Sequence, residues 1–372
     1  MSDEQPPPRG WPPGFGVGDE ERQALLALAS LRGTSPRAVH AFAWGTGSAT
    51  GCLAGIRSGR LGSDGDRECL QQMDLEAVAN AVSICGARLV GPHDPEYLAR
   101  FLDLHDPPPA LFTRGRPLRE HDDRVSIVGS RSASALGVEI AHDLGRCLSG
   151  AGVWVVSGAA RGIDSASHRG ALAAGGRTAA VLGSGIDVLY PRGSAPLLAR
   201  ILEEGTLVSE YGPGVPAEPF RFPARNRLVA ALGRALVVVE GAEKSGSMIS
   251  VDHALELGRE VFAVPGPVTS ELSTVPHALI RDGATLIRGA RDLLDDLGIA
   301  AQLAERPPAD LAGADERVWR ALAGPELPDA VARKADLSIP DVMSALLRLE
   351  IRGLVRAVGG RYERCLAPAA AG

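Results

Sequence analysis

Lysine and aromatic residues are scarce in this chain of 372 residues. Aromatic side chains make up 4% of the residues, and Lys244 and Lys334 are the only lysines. Arginine therefore carries nearly all of the positive charge, through a planar group that can bond two oxygens at once and stack on flat rings. The formal net charge is -6, which excludes a basic field over the whole surface. Any polyanion would need a local basic patch, and coding bias is an alternative explanation of the arginine total.

Paired cysteines and long apolar runs are also missing. The 5 cysteines are scattered without a C-x-x-C spacing, so neither a zinc site nor a disulfide framework is suggested. No run of eighteen apolar residues occurs, and the residues after Met1 lack the apolar segment of a signal peptide. We expect a soluble cytoplasmic protein without a metal, a cofactor or a membrane contact.

Three enzyme motifs are absent as well. The chain has no Gly-Lys dipeptide and hence no P-loop, no G-x-G-x-x-G after its first predicted strand, and no G-x-S-x-G nucleophile elbow. Asp164 and His168 are four residues apart and could ligate a metal, but without a third ligand a helix cap and a structural histidine are favoured. We interpret Asp187 and Glu210 as caps or arginine partners, and we predict no catalytic residue.

The composition along the chain changes at four places. Residues 1–18 are rich in Pro and Gly and are predicted to be a disordered tail. Residues 19–104 are predicted to be a helical domain, ended by Pro107–Pro109. An α/β domain is predicted over 105–300 and a linker over 301–311. Residues 312–368 contain three predicted helices and a hairpin around Gly359-Gly360, which favours a winged helix over a generic helical cap.

Short apolar strands alternate with helices in the α/β domain. This alternation predicts a Rossmann-like, doubly wound and mostly parallel sheet, because strands buried on both faces are continuously apolar. The predicted strands are Val125–Val128, Val153–Val156, Thr178–Leu182, Leu207–Ser209, Ala235–Val239, Glu260–Val264 and Thr285–Ile287.

Glycine, serine and arginine follow these strands repeatedly. Ligands of doubly wound sheets bind at the carboxyl ends of the strands, where helix N-termini present free N–H groups. Several such turns side by side form a row that suits a polyphosphate strand, although glycine also serves plain turns. The predicted binding residues in these turns are Gly129, Ser130, Arg131, Ser157, Gly158, Arg161, Gly162, Lys244, Ser245, Gly246 and Ser247.

A second basic segment reinforces the same edge. Residues 220–227 contain three arginines and two phenylalanines, and Arg192 follows Tyr190-Pro191. Arginine on phosphate with aromatic stacking on bases holds single strands without reading their sequence. We add Arg192, Arg225, Asn226 and Arg227 to the predicted binding residues. The alternative for Phe220 and Phe222 is that both pack beneath the loop.

Taken together, these motifs resemble the DNA-processing protein A (DprA/Smf) family. The matching stretches occur in the order of the family over about 125–285, and they are Ser126–Arg131, Val156–Asp164, Ala180–Asp187, Phe222–Arg227, Glu240–Ser250 and Leu257–Gly266. The resemblance implies a Rossmann-like core that binds single-stranded DNA and passes it to the RecA recombinase in natural transformation, without required catalytic turnover. It also implies a sterile-alpha-motif-like helical domain before the core and a winged helix after it, and we expect a homodimer.

The resemblance assigns roles to several of the predicted residues. Arg131, Arg161 and Arg192 would be the basic DNA contacts, and the turns at Gly129, Gly158 and Ser245-Gly246 would donate to phosphate. The chain departs from the family at Ser273–His277, where a Gly-Thr-Asn is usual.

Two other functions stay open. One is a nucleotide-cleaving phosphoribohydrolase of the same superfamily, although its Pro-Gly-Gly-x-Gly-Thr-x-x-Glu motif is absent. The other is a winged-helix transcription regulator, whose recognition helix would offer mainly Arg348 and Arg352.

Overall fold

Five short helices form the N-terminal region of the protein. The computed structural model describes residues 8–31, 33–243, 245–299, 311–322, 324–352 and 354–364. The predicted linker lies mostly outside these residues. Polar side chains cap four of the five helices by accepting a main-chain N–H of the first turn, and these caps are Ser35, Ser48, Ser63 and Asp74. The helices are α1 (Asp19–Ser30), α2 (Pro36–Thr46), α3 (Ala49–Arg57), α4 (Asp64–Gln72) and α5 (Leu75–Ile84).

Within the described residues, nine strands form one sheet. The strands are β1 (Arg88–Val90), β2 (Leu111–Gly115), β3 (Arg124–Val128), β4 (Trp154–Ser157), β5 (Thr178–Val181), β6 (Thr206–Ser209), β7 (Ala235–Val238), β8 (Glu260–Ala263) and β9 (Thr285–Leu286). Their order is β1-β2-β6-β5-β4-β3-β7-β8-β9. The pairs from β6 to β9 are parallel, whereas β2 is antiparallel to β6 and β1 is antiparallel to β2.

Helices cover both faces of the sheet. They are α6 (Ala135–Gly150), α7 (Ile163–Ala173), α8 (Ala195–Glu204), α9 (Arg221–Leu232), α10 (Ser247–Glu256), α11 (Thr274–Arg281) and α12 (Ala290–Asp296). Separate apolar clusters lie on the two faces, with Val156 and Val238 in one and Val155 and Val237 in the other. Burial on both sides explains the continuously apolar strands, and the predicted doubly wound, mostly parallel sheet is confirmed.

The sheet order reverses between β3 and β7. The chain moves outward from β3 through β4 and β5 to β6, then returns to place β7 on the other side of β3. The crevice outside the carboxyl ends of strands at such a switch point is the usual ligand site of this architecture.

The structure adds to the prediction in the N-terminal third and corrects it in one place. The segment 19–104 is mostly helical but also contains β1, and both β1 and β2 are absent from the predicted strands. β1 has only 3 residues, and the 5 residues of β2 form no continuous apolar run, because both strands pair antiparallel at the sheet edge. Residues 8–18 are not a disordered tail, since Trp11 and Phe15 are buried in the core of the helical region and their rings stack at 4.3 Å. Residues 1–7 lie outside the described residues.

The C-terminal region is a winged helix, as predicted. It consists of α13 (Gly313–Ala321), α14 (Pro328–Ala335), α15 (Ile339–Ile351), β10 (Val355–Val358) and β11 (Arg361–Arg364). Ser338 caps α15 by accepting the Asp341 N–H, and Val318, Trp319 and Leu346 lie in a core of its own. Arg356 forms an ion pair with Asp143 of α6, which joins this region to the sheet domain. Among the helices that the structure describes, none has the length and apolar character needed to cross a membrane.

Candidate nucleic-acid interface

A cavity of about 450 Å³ lies at the switch point, and we call it the switch-point pocket. The turn after β3, the segment after β7 and the first turn of α10 form its walls, and the start of α9 closes one side. The residues lining it are Val128, Gly129, Ser130, Arg131, Ser132, Ala160, Asp164, Pro223, Arg225, Asn226, Ala242, Ser245, Gly246, Ser247, Ile249 and Ser250. The structure therefore brings together eight of the residues predicted from sequence, from three separate segments.

The start of α10 is the polar end of this pocket. The N-cap residue of this helix is Gly246, which is exposed and has no side chain, and the Ser245 hydroxyl accepts the Ser247 N–H at 3.3 Å. Ser247 is buried, and its hydroxyl donates to the Ser245 hydroxyl at 2.8 Å. Asn226 of α9 donates its amide to the Gly246 carbonyl at 3.3 Å and so fixes the turn. The helix dipole and the serine hydroxyls together favour an anion here. Lys244, also predicted to bind, lies outside the described residues.

Exposed arginines and aromatic rings lie beside the pocket. Arg131 is exposed, and its guanidinium carbon lies 5.5 Å from the centre of the Phe222 ring. The rings of Tyr190 and Phe222 are 5.5 Å apart, and Phe220 is 65% exposed. Arg161 and Arg192 are exposed on the neighbouring turns. We call Tyr190, Phe220 and Phe222 the aromatic shelf.

The sequence left open whether Phe220 and Phe222 pack beneath the loop, and the structure answers this for both residues. Phe220 does not pack beneath the loop, because most of its surface faces solvent. Its ring instead covers the buried guanidinium of Arg221, whose central carbon lies 5.0 Å from the centres of both the Phe220 and Tyr211 rings. Phe222 is half-buried and supports Arg131 and Tyr190.

Arg227 is not available to a ligand, which corrects the sequence prediction. Its side chain is 8% exposed and contacts Glu210 at 2.5 Å and Asp106 at 3.0 Å. Burial opposes the guanidinium charge, but the two carboxylates outweigh burial and raise the pKa of Arg227 above its ordinary value. Arg227 therefore ties α9 to the loop before β2. The pairing also agrees with the interpretation of Glu210 as an arginine partner.

Arg225 and Ser157 are also misassigned as surface contacts. The guanidinium of Arg225 is buried beneath Gly158 and donates to the Val181 carbonyl. A Cβ at residue 158 would lie 1.9 Å from Arg225 Nη1, so only glycine leaves room for the arginine. Burial lowers the pKa of Arg225 to about 10, with Asp164 opposing the shift. The Ser157 hydroxyl is buried and donates to the Ile127 carbonyl at 2.6 Å. Arg225 lines the pocket with little of its surface exposed, and Ser157 lies beneath it, so neither is a surface contact.

Asp164 and His168 are buried below the second turn. The Asp164 carboxylate accepts the Gly158 N–H at 3.1 Å and the Ala160 N–H at 3.3 Å. Burial raises the pKa of this carboxyl, against the opposing pull of Arg225 and of the two amides. His168 bonds the Thr178 hydroxyl through Nδ1 at 2.7 Å. These contacts support the structural interpretation of the pair over a metal site.

Sequence reasoning missed Glu240 as a structural element of the site. Its carboxylate accepts the Ser134 N–H at 2.9 Å and the Ser134 hydroxyl at 2.6 Å, so it caps α6 from another strand. A Ser-x-x-Gly start signals a cap at Ser134, but a cap supplied from more than 100 residues away leaves no local pattern. Asp187, interpreted as a cap, accepts the Gly214 N–H at 2.8 Å.

The chain is similar to one family over most of its length. Residues 88–298 match the family described as DNA recombination-mediator protein A, and residues 302–361 match the DprA winged helix domain. Protein Smf of Escherichia coli is 38% identical over 285 residues, which cover 73% of this chain and 76% of the relative.

Two solved structures resemble this one. DNA processing protein A of Streptococcus pneumoniae superimposes with a TM-score of 0.66 at 32% identity, over 75% of this chain and 98% of the other. DNA processing protein A of Helicobacter pylori superimposes with a TM-score of 0.52 at 27% identity, over 57% of this chain and 95% of the other. The structure of that relative is described as giving insight into a single-stranded DNA binding mode.

Proposed function

Because this chain belongs to the DNA recombination-mediator protein A family, we propose that it binds single-stranded DNA across the switch-point pocket and the aromatic shelf. The observation that carries this proposal is the placement of Arg131, which lies on the pocket wall and against the Phe222 ring of the shelf. A phosphate bound in the pocket would place the adjoining base over exposed rings. The binding mode named for the Helicobacter pylori relative supports the same ligand class.

The chemistry of the edge favours a single strand over a duplex. Stacking on Phe220 or Tyr190 needs an unpaired base, since the faces of paired bases are covered by their neighbours. Arginine contacts to phosphate do not read the sequence, so little sequence preference is expected. Arg161 and Arg192 on the neighbouring turns would extend the contact to further phosphates.

We propose no catalytic turnover at this site. Asp164 is engaged by two amides, Glu210 by an arginine, and Glu240 by the amide and hydroxyl of Ser134, a serine that itself caps α6. A phosphoribohydrolase would need a carboxylate free to face the substrate. The contacts of Glu240 therefore argue against the rival enzyme function.

The finer role extends the proposal. We propose that the protein acts in the cytoplasm, protects incoming single-stranded DNA in natural transformation and helps to load a RecA-type recombinase, as a homodimer. Membership in the family supports this role. Its name as a recombination mediator fits a partner that takes over the bound strand.

An affinity titration with labelled oligonucleotides tests the proposed ligand. Oligo-dT should bind more tightly than a duplex of equal length at matched salt, with a log–log salt slope of about -0.7 for each phosphate contacted. The double variant Arg131→Ala, Arg161→Ala should lose about two decades of affinity, because each lost contact costs roughly 1–3 kcal/mol. Its control is Arg119→Ala, Arg177→Ala, which removes two exposed arginines that precede β3 and β5 at the opposite edge. Equal affinity for duplex and single strand, or equal losses in the two variants, would refute the site.

A further inference from the structure

Carboxylates of the chain itself lie at two helix starts beside the switch-point pocket. In doubly wound sheets that bind nucleotides, the phosphate occupies the N-terminus of the helix after the first strand. Here that helix is α6, which follows β3, and Glu240 approaches it from the end of β7. The arrangement bears directly on which anions the pocket can accept.

Glu240 engages the donors of the α6 start closely. Both of its carboxylate oxygens accept from Ser134, and its main-chain carbonyl accepts the Ser130 N–H at 2.8 Å. The Ser134 hydroxyl in turn accepts the Gly137 N–H at 3.0 Å. A Cβ at residue 137 would lie 2.3 Å from the Glu240 carboxyl carbon, so the carboxylate lies directly against the first turn of the helix. Donors that would bond a phosphate are already bonded to this acid.

The second turn is occupied in the same way. Asp164 accepts the amides of Gly158 and Ala160, which are the donors that a phosphate after β4 would use. The start of α10 differs, because its first turn has no acidic residue, a neutral hydroxyl of Ser245 accepts the Ser247 N–H at 3.3 Å, and it opens into the pocket. Of these three helix starts, two carry a carboxylate of the chain and one is open.

We propose that Glu240 is a specificity-determining residue that excludes free nucleotides and pyrophosphate from the switch-point crevice. Its negative charge repels a second anion at α6, and it holds the donors that this anion would need. Within the pocket, phosphate is thereby confined to the α10 start and Arg131, which hold one phosphate of a chain rather than a polyphosphate group, while Arg161 and Arg192 contact further phosphates outside it. This inference deepens the proposed function and rests on it for the identity of the polymer, whereas the exclusion itself is measured without DNA.

Calorimetric titration with inorganic pyrophosphate at constant ionic strength tests the exclusion on the full-length protein. Wild type and the control Glu243→Ala, which removes an exposed acid from the same loop, should show no saturable binding in the low millimolar range. Glu240→Ala should show saturable binding of pyrophosphate, with a Kd at least about tenfold below the lower limit set by wild type. The reason is that a repulsive charge is lost and charge-assisted donors are freed. Adding Ser134→Ala to this variant should remove the gain, which assigns it to the α6 start.

A second variant covers the case in which Glu240→Ala does not fold. Glu240→Gln keeps the shape and the hydrogen-bond acceptor but loses the charge, so a smaller gain is expected. A folded Glu240→Ala or Glu240→Gln that binds pyrophosphate no better than wild type would overturn the proposal, as would tight binding by wild type. Oligo-dT binding by the same wild-type preparation is measured in parallel. If wild type does not bind oligo-dT, the proposed function is refuted, whereas the comparison of pyrophosphate binding between the variants remains valid.

Discussion

At the scale of single residues, burial separates the arginines that support the proposed interface from those that would face it. Arg131, Arg161 and Arg192 are exposed, whereas Arg225 and Arg227 are buried on α9, although all five stand in similarly basic segments. Their sequence context does not distinguish them. The distinction depends on Glu210 after β6 and on Gly158 after β4, whose contacts with α9 exist only in the fold.

Arg227→Met tests this distinction. Removing the guanidinium leaves Glu210 buried without its partner, and breaking a buried pair from one side costs about 3–5 kcal/mol. Urea unfolding should show this loss, and adding Glu210→Met should recover most of it, because two apolar side chains can fill the same space. The folded fraction of the double variant should bind oligo-dT as wild type does. If Arg227→Met instead loses DNA affinity while keeping wild-type stability, Arg227 contacts DNA directly.

His168 gives the protein a pH dependence in the acid range. Burial lowers the pKa of His168 to about 3, so the folded state keeps the ring neutral while the unfolded chain takes up a proton near 6.5. Because the folded pKa is depressed, this stability is present above pH 6.5 and is lost as the pH falls below it. Between pH 6.5 and 5 the loss is about 2 kcal/mol, at 1.36 kcal/mol for each unit of pH.

Urea unfolding at pH 7.5 and 5.0 measures this effect. His168→Asn should flatten the difference between the two pH values, at some cost in overall stability. His142, whose pKa burial also lowers, provides the matched control, and His142→Asn should keep most of the difference. An unchanged pH dependence in His168→Asn would show that other groups are responsible.

At the scale of the elements, sequence reasoning succeeds where the pattern is local. It places the strands of the parallel sheet within one or two residues, because runs such as Ala235–Val238 are apolar and are bounded by glycine or charge. It also identifies the three helices of the winged helix, two of which begin at local signals, Pro328 and the Ser338 cap. It misses β1, β2 and the segment around Trp11, because only packing and pairing with distant residues fix their structure.

The segment around Trp11 should behave as a component of the helical core. Trp11 stacks on Phe15 and meets His40 edge-on at 4.9 Å, and truncating a buried Trp typically costs about 3–5 kcal/mol. We expect Trp11→Ala to lower the free energy of unfolding by that amount. Val17→Ala, at a position that is 54% exposed, should change it little. Thermal unfolding followed by circular dichroism compares the two variants. Equal unfolding midpoints would show that the segment around Trp11 does not stabilise the helical core.

At the scale of the whole molecule, the interface and the winged helix occupy different regions of the protein. The pocket and the shelf belong to the sheet domain, while the winged helix meets the sheet domain at Asp143 on α6. Arg348, named for a possible recognition helix, is bonded to Asp315 at 2.5 Å. Arg348 would have to break this ion pair with Asp315 before it could contact bases in a DNA groove.

Removing everything after residue 299 should therefore leave single-strand binding within about threefold of the intact protein, a difference below about 1 kcal/mol. The truncated protein is compared with the full chain in the same salt series, so that slope and affinity are both measured. The salt slope should be unchanged, because the phosphate contacts are intact. If the truncation abolishes binding while Arg131→Ala, Arg161→Ala retains it, the winged helix is the DNA-binding region.

The antiparallel pair at the edge of the sheet links the helical region directly to the α/β domain. Arg22 of α1 donates to the Leu89 carbonyl of β1 at 2.7 Å, and β1 in turn bonds β2. A fragment that begins at residue 105 would keep β2 but lose its neighbour, leaving Leu111 and Phe112 at a bare strand edge. An unpaired strand edge can hydrogen-bond with strands of other chains, so we expect this fragment to aggregate. The natural places to divide this protein thus lie before the segment around Trp11 or after α12, and not between its helices and its sheet.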